Sequence, residues 1–160
     1  MSLDSTEYRR IIGNFATGVT VVTTDVEGML HGMTANAVTS VSLEPLLILV
    51  CVDKGAVSHA QMQAASHFGV NILSEAQQDL SNTFAASKPP EEGSLRGAPF
   101  RRAASGVPLL EGTLAWLDCE VDQAVDAGDH TIFIGRVLDG SVDCEDNPLL
   151  YFRGGYRAIG

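Results

Sequence analysis

Positive charge is scarce in this sequence: ten Lys and Arg stand against twenty Asp and Glu, a formal net charge of -10, and only Lys54 and Lys88 are lysines. A nucleic-acid binder needs a basic footprint, so that class is disfavoured, and the same sign argument disfavours an anionic membrane surface. Long apolar runs are missing too. The longest, residues 46–52, has the length of a strand and falls far short of the roughly 18 residues that a spanning helix needs. The opening Met1-Ser2-Leu3-Asp4-Ser5 lacks the basic-then-apolar pattern of a secretory signal, so a soluble, cytoplasmic protein is expected. Cysteine is sparse and odd in number: Cys51, Cys119 and Cys144 include no Cys-x-x-Cys pair and read as reduced thiols. None of His31, His59, His67 and His130 has a second ligand at metal-binding spacing, so no metal site is expected. A Gly-x-Gly-x-x-Gly after a strand, a phosphate loop of the Walker kind and a Gly-x-Ser-x-Gly elbow are all absent, which excludes dinucleotide binding by a Rossmann unit.

What is present suits one domain: 160 residues, 45% of them hydrophobic, are enough to bury a core. Tyr8, Ile11, Ile12 and Phe15 fall on one helical face, with Asp4 or Ser5 available as N-cap. The β-branched run 19–24 predicts a strand, Glu27-Gly28 a turn, and 29–37 an antiparallel return. Residues 46–52 predict a strand buried on both faces. Val57, Ala60, Ala64 and Ala65 follow helical spacing, 68–73 predicts a strand, and Ala76, Leu80 and Phe84 mark a third helix. The stretch 87–97, with Pro89-Pro90 and Glu91-Glu92, predicts a mobile loop. Ala115, Leu117, Cys119 and Val121 alternate with polar residues, the cleanest period-two signal in the chain. Gly128-Asp129 then turns it into a partner strand over 130–137, and 148–156 predicts a last strand. Many antiparallel signals with three short helices point to a closed or nearly closed β-barrel, all-β or α+β.

Four segments are candidates for chemistry. The small, polar segment 32–42, between two predicted strands, offers backbone amides and the hydroxyls of Thr34, Thr39, Ser40 and Ser42 to a phosphate or a flat heterocycle, or is simply a Ser/Thr-rich strand edge. Asp53-Lys54-Gly55-Ala56-Val57-Ser58 opens a helix and is either an anion site or a turn capped by Ser58. Gly128-Asp129-His130 brings a histidine to a strand edge. Tyr151-Phe152-Arg153-Gly154-Gly155-Tyr156-Arg157 has the aromatics and guanidinium groups that suit a planar anionic ligand, or a strand covering the barrel end.

Taken in order, Phe15-Ala16-Thr17-Gly18-Val19-Thr20-Val21-Val22-Thr23-Thr24, the run from Thr34 to Ser42 followed by Leu43-Glu44-Pro45-Leu46, Gly128-Asp129-His130 and Pro148-Leu149-Leu150-Tyr151-Phe152-Arg153-Gly154-Gly155-Tyr156 resemble the short-chain NAD(P)H:flavin oxidoreductases, the flavin reductase components of two-component flavin-dependent monooxygenases. The resemblance covers nearly the whole chain. It implies a mainly β fold, a split β-barrel of Greek-key type with a few short flanking helices, forming one domain over 1–160 and a homodimer. It further implies reduction of FAD, or FMN, by NADH, or NADPH, with reduced flavin passing to a separate monooxygenase. Carried over, Thr34, Ala35, Asn36, Ala37, Val38 and Ser40, with Cys51, Val52 and Asp53, would meet the flavin ring and ribityl chain. Lys54, Val57 and Ser58 would meet its phosphate, and Phe84 and Ala85 its tail. His130 would position the nicotinamide, with Tyr151, Phe152, Arg153 and Tyr156 shaping that side. Many such proteins have Pro-Pro where this chain has Glu44-Pro45. The residues also leave open a non-catalytic flavin-binding split barrel and an oxidase of pyridoxal-type substrates.

Overall fold

The computed structural model describes residues 2–160. Three helices, α1 (Ser5–Ile12), α2 (Val57–Ala64) and α3 (Gln78–Ala85), flank a β-rich body. Its main sheet contains eight antiparallel strands: β2 (Thr20–Val26), β3 (Met29–Ala35), β4 (Val38–Leu43), β5 (Leu46–Asp53), β6 (His67–Ile72), β7 (Glu91–Glu92), β10 (Ala115–Ala127) and β11 (His130–Val142). The strand order is β4-β5-β11-β10-β6-β2-β3-β7. Two small ladders complete it: β8 (Phe100–Arg102) with β9 (Pro108–Leu110), and β1 (Thr17–Gly18) with β12 (Leu150–Phe152) and β13 (Gly155–Arg157).

One connection determines the shape. In a flat sheet β3 and β4 would lie six strand spacings apart, about 29 Å at ~4.8 Å each. Yet only Asn36 and Ala37 join them, and three Cα steps reach about 10 Å. The sheet must therefore roll up until β4 lies close to β3. No hydrogen-bonded ladder joins these two strands, which leaves the barrel split along that seam. The interior agrees: Val22, Val50, Val52, Met62, Phe68, Cys119 and Phe133, drawn from β2, β5, α2, β6, β10 and β11, form one buried cluster. A second cluster lies outside the wall, where Val21, Leu30, Leu73, Phe84, Leu95 and Leu149 seat α3 and the segment after it. Asn71 is fully buried beside this outer cluster and satisfied: its amide donates to the Val21 carbonyl at 2.8 Å and its Oδ1 accepts from Leu110 N at 2.9 Å.

Several expectations change. Residues 32–42 do not separate two strands; they are the end of β3, the two-residue link and most of β4. Strand β5 is not buried on both faces. Ile48, Val50 and Val52 enter the core while Leu49 and Cys51 are only half-buried, because the second face borders a cleft. The expected mobile loop after α3 is pinned, with β7 pairing to β3 and Leu95 buried in the outer cluster. The Arg96 guanidinium also donates to the Thr83, Ala86 and Lys88 carbonyls at 2.6, 2.8 and 3.3 Å. The alternation of β10 holds, with Leu117, Cys119 and Val121 all packed on the barrel core, while its register against β11 shifts at Asp118/Cys119 and Val121/Gln123. Asp118 points to the opposite face, where it is buried and accepts from Ser105 Oγ at 2.6 Å and from Ser105 N at 3.2 Å. The C-terminal segment is a hairpin rather than one strand, with positive φ at both Arg153 (50°) and Gly154 (75°), as a tight two-residue turn requires.

In the barrel core, a Cβ built on Gly135 would lie 2.5 Å from the Phe68 ring and 3.0 Å from Cys119 Cβ. Because Phe68 is fully buried and cannot swing aside, Gly135→Ala is expected to destabilise the protein by about 1–3 kcal/mol in urea unfolding.

Candidate functional site

The seam between β3 and β4 opens into a cleft of about 940 Å³, at the upper end of small-molecule sites. Asn36, Ala37, Val38 and Thr39 form one wall, Leu49 and Cys51 of β5 another, and Phe15 to Thr20 a third. Arg9 and Ile12 of α1, with Tyr151, Arg153 and Gly154 of the C-terminal turn, close its rim. The walls are mostly apolar and small, so a flat ring can approach the backbone closely.

A second, smaller cavity lies between β3, the start of α2 and the end of α3 with the segment after it. His31, Thr34, Ser58, Phe84, Lys88 and Arg96 line it, with Ala56, Val57 and Ala85. No side chain caps α2, so its first amides are available to an anion. Ser58, expected as a cap, instead sits within the first turn, 7% exposed, with Oγ 2.7 Å from His31 Nε2. His31 is 4% exposed, and its Nδ1 has no hydrogen-bond partner among the described residues. Burial, aided by the nearby Arg96 charge, pushes the His31 pKa down to about 4, so the ring is neutral at pH 7.

The residues picked from the sequence divide between these spaces. Asn36, Ala37, Val38, Cys51, Tyr151 and Arg153 line the cleft, while Thr34, Val57, Ser58, Phe84 and Ala85 line the cavity. Ala35 and Val52 turn their side chains into the barrel core, leaving only their backbone for a ligand. Ser40 is exposed on β4 and lines neither. Thr34 has its hydroxyl committed to the Ser81 carbonyl at 2.6 Å. Asp53 caps its own turn by accepting from Gly55 N at 2.7 Å. Lys54 is not at the cavity: its Nζ pairs with Asp126 at 3.3 Å, and the positive charge there comes from Lys88 and Arg96. Neither of those two was marked by motif or spacing in the sequence, because both come from the segment expected to be a free loop.

His130 begins β11 opposite Asp53, and its side chain is 41% exposed. Its Nδ1 lies 2.7 Å from Asp129 Oδ1, and this hydrogen bond, with lesser help from the charge on Arg9, holds the Asp129 carboxyl below its usual range. The carboxylate thereby fixes Nδ1–H and leaves Nε2 facing outward. Neither Asp129 nor His130 lines the cleft or the smaller cavity. Arg153 is held at its positive φ by docking on the end of α1: its amide donates to the Gly13 carbonyl and its Nε to Asn14 Oδ1, both at 2.9 Å. Its guanidinium carbon lies 4.7 Å from the Phe152 ring centre. Tyr156 is structural, since it packs edge-on against Tyr151 and its hydroxyl bonds Ser81 Oγ at 2.6 Å and Asn82 Oδ1 at 3.2 Å.

A split antiparallel barrel with an apolar cleft at its seam and a positively charged cavity beside it offers the shape and charge to take a flat, anion-tailed ligand. The family model described as the flavin reductase like domain matches residues 12–160, and the chain belongs to that family. It is 44% identical over 154 residues to a probable flavin reductase of Rhizobium meliloti (strain 1021), covering 96% of this chain and 48% of the relative. It is 42% identical over 151 residues to the reductase component of the flavin-dependent trigonelline monooxygenase of Acinetobacter baylyi, covering 94% and 47%. The chain thus spans about half the length of these two relatives. Among solved structures, the NADH:FAD oxidoreductase SgcE6 of Streptomyces globisporus C-1027 superposes with a TM-score of 0.90 at 35% identity, over 100% of this chain and 97% of that one.

The buried neutral His31 has a measurable signature. The unfolded chain takes up a proton there near the ordinary value of 6.5, whereas the folded chain resists until about 4, so this contribution to stability is full above pH 6.5 and is lost as pH falls towards 4. Between pH 6.5 and 4 the Tm of the wild type is expected to fall more steeply than that of His31→Gln, as followed by thermal unfolding.

Proposed function

We propose that this protein is an NAD(P)H:flavin oxidoreductase that reduces FAD, or alternatively FMN, with NADH preferred over NADPH, and passes reduced flavin to a separate monooxygenase. The observation that carries this reading is the placement of two complementary spaces at neighbouring points of one stretch of chain, the end of β3 and the link that follows it. Thr34 lines the charged cavity and Asn36 begins the wall of the apolar cleft, so a ring in one and a phosphate in the other are separated by about the reach of a ribityl chain. The names of the relatives support the flavin and the monooxygenase partner, and the SgcE6 name supports the NADH and FAD pair.

When bound, flavin accepts at N5 the hydride that reduced nicotinamide gives up from C4. The chain's part is to bind and orient. The backbone from Asn36 to Val38 and around Cys51 would border the ring. The α2 amides, Ser58 Oγ and Lys88 would hold the phosphate, with Arg96 keeping Lys88 in place through its bond to the Lys88 carbonyl. His130, its tautomer set by Asp129, would align the nicotinamide, with Tyr151 and Arg153 at the rim of the cleft. Stacking two rings at contact removes much of the entropic barrier, so no protein nucleophile is required.

The same reading takes the chain as one functional unit over 1–160, acting as a homodimer in the cytoplasm. Tyr8, Ile11 and Ile12, the apolar face of α1, and Phe15 just after it are 49–72% exposed beside the cleft, which suits coverage by a second copy. Three free cysteines suit a reducing compartment, and among the described residues no helix is long and apolar enough to cross a membrane.

The direct test is anaerobic mixing of the protein with NADH or NADPH and excess FAD or FMN. Catalytic bleaching of the excess is expected; bound flavin without bleaching would leave only a binder. His130→Ala is expected to raise the KM for the nicotinamide nucleotide several-fold more than it weakens flavin binding, and equal losses in steady-state and titration assays would remove that role. Lys88→Ala should weaken FMN about 5- to 10-fold while sparing riboflavin, which lacks the phosphate, and Lys54→Ala should leave both unchanged.

A further inference from the structure

We propose that His31 is a positioning residue for the phosphate of the bound flavin: its Nε2–H holds the Ser58 oxygen and so turns the Ser58 hydroxyl proton into the cavity as a donor. The inference rests on the reading of that cavity as the phosphate site. His31 comes from the middle of β3 and Ser58 from the first turn of α2, and their 2.7 Å contact ties barrel wall to helix start in a buried setting.

The two tautomers of the neutral ring have unequal consequences. With the proton on Nδ1, a buried N–H would have no acceptor among the described residues and would carry the full desolvation penalty of an unmade hydrogen bond. Ser58 would then have to donate to Nε2, which takes its proton away from any anion. With the proton on Nε2, only a lone pair is left unpaired at Nδ1, and Ser58 accepts from His31 while its own O–H is free. A free O–H beside Lys88, Arg96 and the uncapped start of α2 completes a set composed only of donors, which an oxyanion suits and a carboxylic acid or a cation does not. No carboxylate lines this cavity. Protonation of the ring is opposed by burial and by Arg96, so the neutral arrangement holds through the physiological range.

Long-range proton–nitrogen spectra of the unliganded, ¹⁵N-labelled wild type at pH 7 read the tautomer directly and need no variant. The Nε2–H form of His31 is expected; an Nδ1–H form or a doubly protonated ring would overturn the proposal. Titrations with FMN and riboflavin then test the consequence. His31→Phe is expected to weaken FMN about tenfold and riboflavin less than twofold, His31→Gln to recover most of the loss because its amide N–H can reach the same oxygen, and His31→Phe to add little in a Ser58→Ala background. Equal losses for both ligands, or losses that add independently of Ser58→Ala, would show a merely structural histidine. If Ser58→Ala leaves the preference for FMN over riboflavin unchanged, the phosphate reading itself fails. If Ser58→Ala weakens FMN but His31→Phe does not, only the role of His31 fails.

Discussion

The structure depends on a short tether. Two residues, Asn36 and Ala37, join strands that the ladder order places at nearly opposite ends of the sheet, so the sheet has to roll. Rolling gathers Val22, Val50, Phe68 and Phe133 from four strands into one interior and leaves a seam where the backbone is not paired across. The cleft lies at that seam. Its wall residues are small because the link that closes the barrel also brings backbone to the cleft surface.

A strongly acidic chain that binds an anionic ligand must concentrate its few cations. Lys88 and Arg96 serve the cavity at α2, and Arg9 and Arg153 serve the rim of the cleft. Lys54, Arg101 and Arg102 are instead neutralised at the surface by Asp126, Asp143 and Asp25, exposed or half-exposed pairs that add little to stability. Arg96 has an additional role, since three carbonyls and the Phe84 ring fix its guanidinium and thereby order the segment that carries Lys88.

Much of the fold was legible in the sequence. The hairpin at Gly128-Asp129, the strand after Glu27-Gly28 and the helices near residues 57 and 78 follow from periodicity and turn chemistry, and the ordered motifs pointed to the family. What escaped has physical reasons. Periodicity does not report long-range pairing, so β4 was hidden within a polar run and β7 within a Pro- and Glu-rich segment. Alternation puts Asp118 on the polar face of its strand, and only the packing of Ser105 over that face, which periodicity does not report, buries it. Lys54 was favoured because it adjoins Ser58 in sequence, whereas the barrel brings Lys88 from thirty positions further along to the same cavity. His31 carried no local signal beyond being a histidine; only burial and an unpaired ring nitrogen distinguish it.

The central claim is that one flavin spans the seam, ring in the cleft and phosphate at the start of α2. A crystal structure of the protein with FMN tests it most directly. The account predicts phosphate oxygens within hydrogen-bond distance of the Val57 or Ser58 amide and Ser58 Oγ, with the ring against Asn36 to Val38. A phosphate held instead by Arg9 and Arg153 at the opposite rim would contradict it.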